Sequence, residues 1–180
     1  MSVFEYILTL ITLVIGLGLT RILNAVAALE FQIHRRQEVV DLAWLTSIII
    51  LQVDYWFSLW DNENSREVWD LWYLVYAFTL AAFLFLAGAY FAQASSQQGD
   101  ERWRKIRFGL ATITLYFTTS IVGAVMIFGR NFGLGVLLPY AILVPVFFTK
   151  NRPRLFELTT SVFLAFSIFV LVFLGPTSIG

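Results

Sequence analysis

Residues 3–29 read VFEYILTLITLVIGLGLTRILNAVAAL, an apolar run in which only Glu5 and Arg21 carry charge. A helix rises about 1.5 Å per residue, and the hydrocarbon layer of a bilayer is about 30 Å thick, so about 20 apolar residues are enough to cross it. The run shows none of the period-2 alternation that is typical of a membrane β-strand. It therefore predicts a transmembrane helix.

Five further runs of similar character follow in the 180 residues, which are 59% hydrophobic and 13% charged, far from the composition of a soluble domain. We therefore predict an all-α, integral membrane bundle of six transmembrane helices, forming one domain over residues 1–180. The connections are too short to hold a folded aqueous domain. The predicted spans are 3–29, 39–60, 68–93, 106–128, 133–148 and 155–174.

The basic residues predict the orientation, since Lys and Arg in short loops favour the cytoplasmic side. Nine of the twelve lie in or beside the first, third and fifth connections, whereas the second and fourth carry only Arg66 and Arg130. This alternation places both termini on the outer, periplasmic side. The fifth span is short and contains Pro139 and Pro145, so it is expected to be kinked or partly re-entrant, but the charge alternation requires it as a crossing.

Three of the predicted helices carry polar or small residues in register on one face. Such rows are either helix-packing faces or the lining of a hydrated pathway, and the sequence leaves both interpretations open. The rows consist of Glu5, Thr9, Thr12, Gly16 and Thr20 in the first span; Ser47, Asp54 and Ser58 in the second; and Thr112, Tyr116 and Thr119 in the fourth.

Charged residues within the spans suggest two further sites. Glu5 and Asp54 both fall in the outer part of the bundle, where a pair of carboxylates would hold a proton or a cation. Arg21, Asp41 and Glu157 fall at comparable depths near the inner ends of their spans and would form an inner charge cluster. Alternatively, Arg21 extends its long side chain to the headgroups.

Tryptophans concentrate around the second connection, at Trp56, Trp60, Trp69 and Trp72. Amphipathic rings favour the headgroup zone, so we predict an outer aromatic belt. The alternative is an aromatic vestibule that receives a ligand or cation from outside.

Several chemistries lack the residues that they require. The absence of cysteine removes thiolate metal sites, and the single histidine, His34, excludes bis-histidine haem ligation within one chain. Both lysines lie in connections, which argues against a retinal Schiff base. We therefore predict a protein that is not an enzyme and that has no cofactor and no metal. The zero net charge gives no reason to expect a nucleic-acid partner.

The segments Phe4-Glu5-Tyr6, Gly16-Leu17-Gly18-Leu19-Thr20 and Gln52-Val53-Asp54-Tyr55-Trp56 resemble a functionally uncharacterised family of small multi-pass bacterial inner-membrane proteins. The resemblance covers mainly the first third of the chain and implies a location in the bacterial inner membrane, without implying an activity. Asp54 stands where the family pattern has an aromatic residue.

These observations favour a non-enzymatic membrane subunit of the sensor or anchor type. Its partners would be the lipid bilayer and either further copies of itself, in a homo-oligomer, or another membrane protein that it docks. The alternative is a small proton- or cation-coupled transporter or channel whose pathway follows spans 1, 2 and 4.

Overall fold

The computed structural model describes residues 3–29, 36–63, 71–128, 137–148 and 153–174, and within these ranges all regular structure is helical. The prediction of an all-α fold is confirmed. Over the described residues there are six α-helices, the last of which continues as a π-helical segment at Val170–Leu174. The helices are α1 Val3–Ala28, α2 Arg36–Glu63, α3 Leu71–Ser95, α4 Gly99–Phe128, α5 Leu138–Val146 and α6 Pro153–Phe169.

Five of these helices are long and apolar enough to cross a membrane, and α5 is the exception. Its nine residues extend only about 13 Å, less than half of the hydrocarbon thickness. Pro139 occupies the first turn, where its missing N–H is tolerated, and Pro145 lies one residue before the end. The helix is thus shorter than the predicted span 133–148, of which residues 133–136 lie outside the described part.

The other helices follow the predicted spans but extend further where the chain becomes polar. The clearest case is α4, which begins at Gly99 instead of the predicted 106. Gly99 has a φ of +62°, a left-handed conformation that favours glycine, and it begins the helix after a tight turn. Hydropathy marks the stretch that lipid surrounds, whereas the helix also includes a charged first turn with Asp100 and Glu101.

Contacts between side chains give the direction of each helix. Near the starts of α2 and α4, Asp41 pairs with Arg102. Further along the same two helices, Tyr55 meets Tyr116. The start of α6 lies at the same level, because the Phe156 ring stacks at 6.3 Å from Trp44 of α2. These three helices are therefore parallel.

The remaining helices run in the opposite direction. Along α3, Tyr76 packs on Gly123 and Phe91 on Gly109, which makes α3 antiparallel to α4. In α5, Tyr140 bonds to Thr118 in the middle of α4, while Phe147 reaches the level of α4's first turns. Helix α1 packs beside α2 and α3 and is parallel to α3.

One end of the bundle, which we call the basic end, holds the starts of α2, α4 and α6. Its described basic residues are Arg36, Arg102, Arg104, Lys105, Arg107 and Arg154. The core near this end is aromatic: Trp44 stacks on Phe91 at 4.7 Å and contacts Phe163 at 5.0 Å. Helix α2 contacts α1, α3 and α6, so it joins the two sides of the bundle.

Candidate functional site

The polar row of α1 faces outward. Glu5, Thr9, Thr12, Gly16 and Thr20 are all exposed, as are the large apolar residues beside them, Tyr6, Leu13 and Leu17. The opposite face is buried, and its core residues are Ile7, Ile11, Ile15 and Ile22. The predicted alignment of these residues on one face agrees with the structure, but that face lies on the surface of the bundle and does not line its interior.

Each threonine hydroxyl of this row takes part in a hydrogen bond. Thr9 Oγ1 donates to the carbonyl oxygen of Glu5 at 2.7 Å, and Thr20 Oγ1 donates to that of Gly16 at 2.8 Å. Thr12 Oγ1 accepts a bond from Trp56 Nε1 at 3.3 Å. Because these groups have partners, the row presents methyl groups and glycine backbone to its surroundings at little cost in lipid.

The two glycines of α1 have opposite surroundings. A Cβ added at Gly18 would lie 2.8 Å from Gln52 Nε2, so Gly18 allows close packing against α2. A Cβ added at Gly16 would meet nothing within 4 Å. Gly16 and Thr20 form a small-xxx-small pair, which is the pattern that lets two membrane helices approach closely. Within the described chain, no atom fills the space beside Gly16.

A groove of about 370 Å³ extends this surface from α1 onto α2. Its lining is almost wholly apolar and consists of Thr12, Ile15, Gly16, Leu19, Gln52, Val53, Trp56 and Phe57. Gln52 is only 1% exposed, and its Nε2 lies 3.5 Å from the carbonyl oxygen of Leu84. Its Oε1 has no hydrogen-bond donor among the described residues. The groove is therefore apolar apart from one buried amide.

The rows of α2 and α4 lie in a different part of the bundle. Ser47 is buried and bonds to the carbonyl oxygen of Ala43, and Thr112 is buried and bonds to that of Phe108. Asp54 is half-buried and lies within electrostatic range of Tyr116, whose ring meets that of Tyr55 edge-on.

The remaining members of these rows lie less deeply. Ser58 is half-buried and bonds to the carbonyl oxygen of Tyr55. Thr119 is also half-buried. The structure thus brings the α2 and α4 rows towards each other, while the α1 row, with Glu5, faces away from them.

At the basic end the charges pair differently from the predicted inner cluster. Asp41 is buried and accepts a hydrogen bond from Arg102 Nη2 at 2.5 Å, an ion pair 61 positions apart in sequence. Arg21 is exposed on α1, and Glu157 lines a cavity together with Arg36. Sequence reasoning missed Arg102 because it lies before the apolar run of its helix. A helix that continues through its charged first turn carries this residue to the level of Asp41.

Of the predicted aromatic belt, two members have described side chains. Trp72 is 77% exposed at the start of α3, and Trp56 is half-buried near the end of α2, both far from the basic end. The side chain of Trp60 and all of Trp69 lie outside the described residues. The aromatic core around Trp44 had no sequence signal, since its rings come from four apolar runs that differ little from one another.

No protein-family model, curated protein sequence or solved structure matches this chain.

Proposed function

We propose that this protein is a non-enzymatic subunit of the bacterial inner membrane that assembles with a second copy of itself through the outward face of α1. The observation that carries the proposal is the open space beside Gly16, on a face of small residues whose hydroxyls are already bonded. The location follows from the family resemblance and from the concentration of basic residues at one end.

The helix directions support six crossings with both termini on the outer side. Helix α6 starts at the basic end, as α2 and α4 do, whereas α4 finishes at the opposite end. Six crossings need a return between these two ends, and α5 has the direction that such a return requires, since it is antiparallel to α4. On this topology α5 forms the inner half of the return, because Phe147 lies beside the first turns of α4. The basic end is then cytoplasmic.

The position of Gly16 suits a symmetric dimer. It lies near the middle of α1, and two copies in one membrane share the same orientation, so a two-fold axis along the membrane normal brings the two α1 helices together as a parallel pair. Close approach at a glycine lets backbone atoms pack directly, which drives helix association where lipid supplies no hydrophobic force. Leu13 and Leu17 flank the crossing and gain packing contacts.

The groove between α1 and α2 adds to this surface. It borders Gly16 directly and is mostly apolar, so residues at the edge of the second copy's α1 can fill it at little polar cost, because Gln52 Oε1 is already buried without a donor among the described residues. The glycines of α3 and α4 offer no comparable space, since Ile22 packs on Gly88 of α3 and aromatic rings pack on Gly109 and Gly123 of α4.

The experiment that tests the proposal is disulfide cross-linking in native membranes. The chain contains no cysteine, so Thr9→Cys supplies a single thiol on the α1 face. We expect oxidation to give a covalent dimer. Ile168→Cys, on the exposed face of α6, is the matched control and should remain a monomer. Equal cross-linking at both positions, or none at Thr9, would contradict the proposal.

A second measurement concerns affinity. Gly16→Leu places a bulky side chain at the crossing and should weaken the dimer at least about tenfold, or about 1.4 kcal/mol, in mass measurements at varied detergent concentration. Ala165→Leu makes the same kind of change at an exposed position of α6 and should leave the dimer intact.

The transporter alternative has less support. It requires the polar rows of spans 1, 2 and 4 to line one pathway, but the α1 row faces out of the bundle. Asp54 near Tyr116 remains its best candidate site. Asp54→Asn reconstituted in liposomes tests it, since pH-dependent flux in the wild type that the variant lacks would favour transport.

A further inference from the structure

A second cleft lies at the basic end, between the first turns of α4 and the end of α5. Its volume is about 580 Å³, and we call it the basic cleft. It is defined by Asp100, Trp103, Arg104, Arg107, Phe108, Ala111 and Phe147. It is distinct from the groove between α1 and α2 described above.

Two exposed arginines lie at the rim of the basic cleft. Arg104 and Arg107 are one turn apart on α4 and both are exposed, while Asp100 is the acidic residue of the lining. Arg104 Nη2 bonds to Glu101 Oε1 at 3.0 Å, but both side chains are more than half exposed, and such pairs are weak and exchange readily. Arg102, by contrast, forms the buried ion pair with Asp41.

Below the arginines the cleft is apolar. Phe108 and Ala111 follow Arg104 along α4 at rises of about 6 Å and 10 Å. Phe147 closes the opposite side from the end of α5, and Phe148 beside it is 82% exposed. Cationic groups at the rim and an apolar wall leading into the bundle match the two parts of a phospholipid, its phosphate and its acyl chains.

From this arrangement we infer that the basic cleft binds a phospholipid with an anionic headgroup. The guanidinium groups of Arg104 and Arg107 hold the phosphate, for which their planar fork of donors is suited. An acyl chain lies against Phe108, Ala111 and Phe147. Because the contact of Arg104 with Glu101 is exposed and exchanges readily, both guanidinium groups are available to a headgroup, and a headgroup of net negative charge gains more from them than a zwitterionic one, as in basic pockets between membrane helices. The inference depends on the membrane embedding proposed above and is independent of the dimer.

The test compares binding of phosphatidylglycerol and phosphatidylcholine to the full chain in detergent, by native mass spectrometry. The wild type should bind phosphatidylglycerol more tightly. In Arg104→Gln/Arg107→Gln its affinity should fall about fivefold for each arginine, and the preference should disappear. The matched control is Arg154→Gln, which removes an exposed arginine at the start of α6, at the same end of the bundle, and should retain the preference.

Three results would overturn the inference: equal binding of the two lipids to the wild type, equal loss in Arg154→Gln, or equal binding of water-soluble glycerol phosphate, which would indicate a site for free phosphate. Because Arg104 and Arg107 are exposed, their removal should leave the unfolding temperature without lipid unchanged. Phe147→Ala provides a second check. Loss of the apolar wall should weaken the binding of both lipids while preserving the preference for phosphatidylglycerol.

Discussion

Gly16 of α1 and Gly123 of α4 are both glycines within apolar helices, but their surroundings differ completely. A Cβ at Gly123 would collide with the ring of Tyr76, whereas a Cβ at Gly16 would meet no neighbour. The difference extends to whole surfaces: aromatic rings of α3 cover the glycines of α4, while the outward face of α1 leaves its small residues uncovered. A small residue that packs inside a subunit and one that is available to another subunit look the same in sequence.

The largest effect is expected at the buried ion pair of the basic end, which tests how well the interior of the bundle is closed to water. Asp41→Asn leaves the Arg102 guanidinium, whose side chain is 15% exposed, without its counter-charge. We expect the free energy of unfolding to fall by about 3–5 kcal/mol, measured by titration with sodium dodecyl sulfate in mixed micelles.

The exposed pair between Arg104 and Glu101 is the control for this prediction. Glu101→Gln should cost less than about 1 kcal/mol, because water screens both charges. Similar losses of unfolding free energy in Asp41→Asn and Glu101→Gln would show that water reaches the Asp41 pair as easily as the surface pair. That result would contradict the distinction between a buried and an exposed ion pair.

The glycine comparison itself gives an intermediate effect. The Tyr76 hydroxyl donates a hydrogen bond to the carbonyl oxygen of Ser120 at 3.3 Å, and Gly123→Leu would force the Tyr76 ring away from it. This overpacking should cost about 1–3 kcal/mol of unfolding free energy. Gly16→Leu should change the stability of the monomer by less than about 0.5 kcal/mol. Equal destabilisation of the monomer by both variants would mean that the α1 face is covered within the subunit.

The smallest effect is expected at Gln52, which lies where the two regions meet. Its Nε2 points towards α3, while its Oε1 has no donor among the described residues. Gln52→Leu removes an incompletely bonded amide, so stability should change by less than about 1 kcal/mol in either direction. Tyr55→Phe, the control, removes a buried hydroxyl that bonds to the carbonyl oxygen of Ala77 at 2.5 Å, and should cost about 1–3 kcal/mol. A loss at Gln52 as large as at Tyr55 would reveal a donor for Oε1.

Much of the helix content could be predicted because apolar length alone specifies it. Five of the apolar runs are long, and the largest error at their ends is at Gly99, where α4 continues into polar residues beyond the predicted start at 106. The length of α5 was harder to predict, because Pro139 and Pro145 signal an irregularity without saying how much of the run remains helical.

The candidate site was predictable only in part. Helical periodicity correctly aligned Glu5, Thr9 and Gly16 on one face, since the angle between residues is a property of the helix itself. It could not show which way that face points, because the rotation of α1 depends on packing against α2 and α3. The pairing of Asp41 with Arg102 was also inaccessible, since it depends on how α2 and α4 lie side by side.

The placement of α1 beside α3 also bears on how the chain reaches its native state. Gly18 of α1 packs on Phe85, and Ile22 packs on Gly88, so α1 packs against a helix that is synthesised well after it. At roughly 5–20 residues per second, several seconds of translation separate α1 from the end of α3. During that interval the isoleucine face of α1 lies in the bilayer without its final neighbour. Helix α1 therefore reaches its native packing only after α3 has been synthesised.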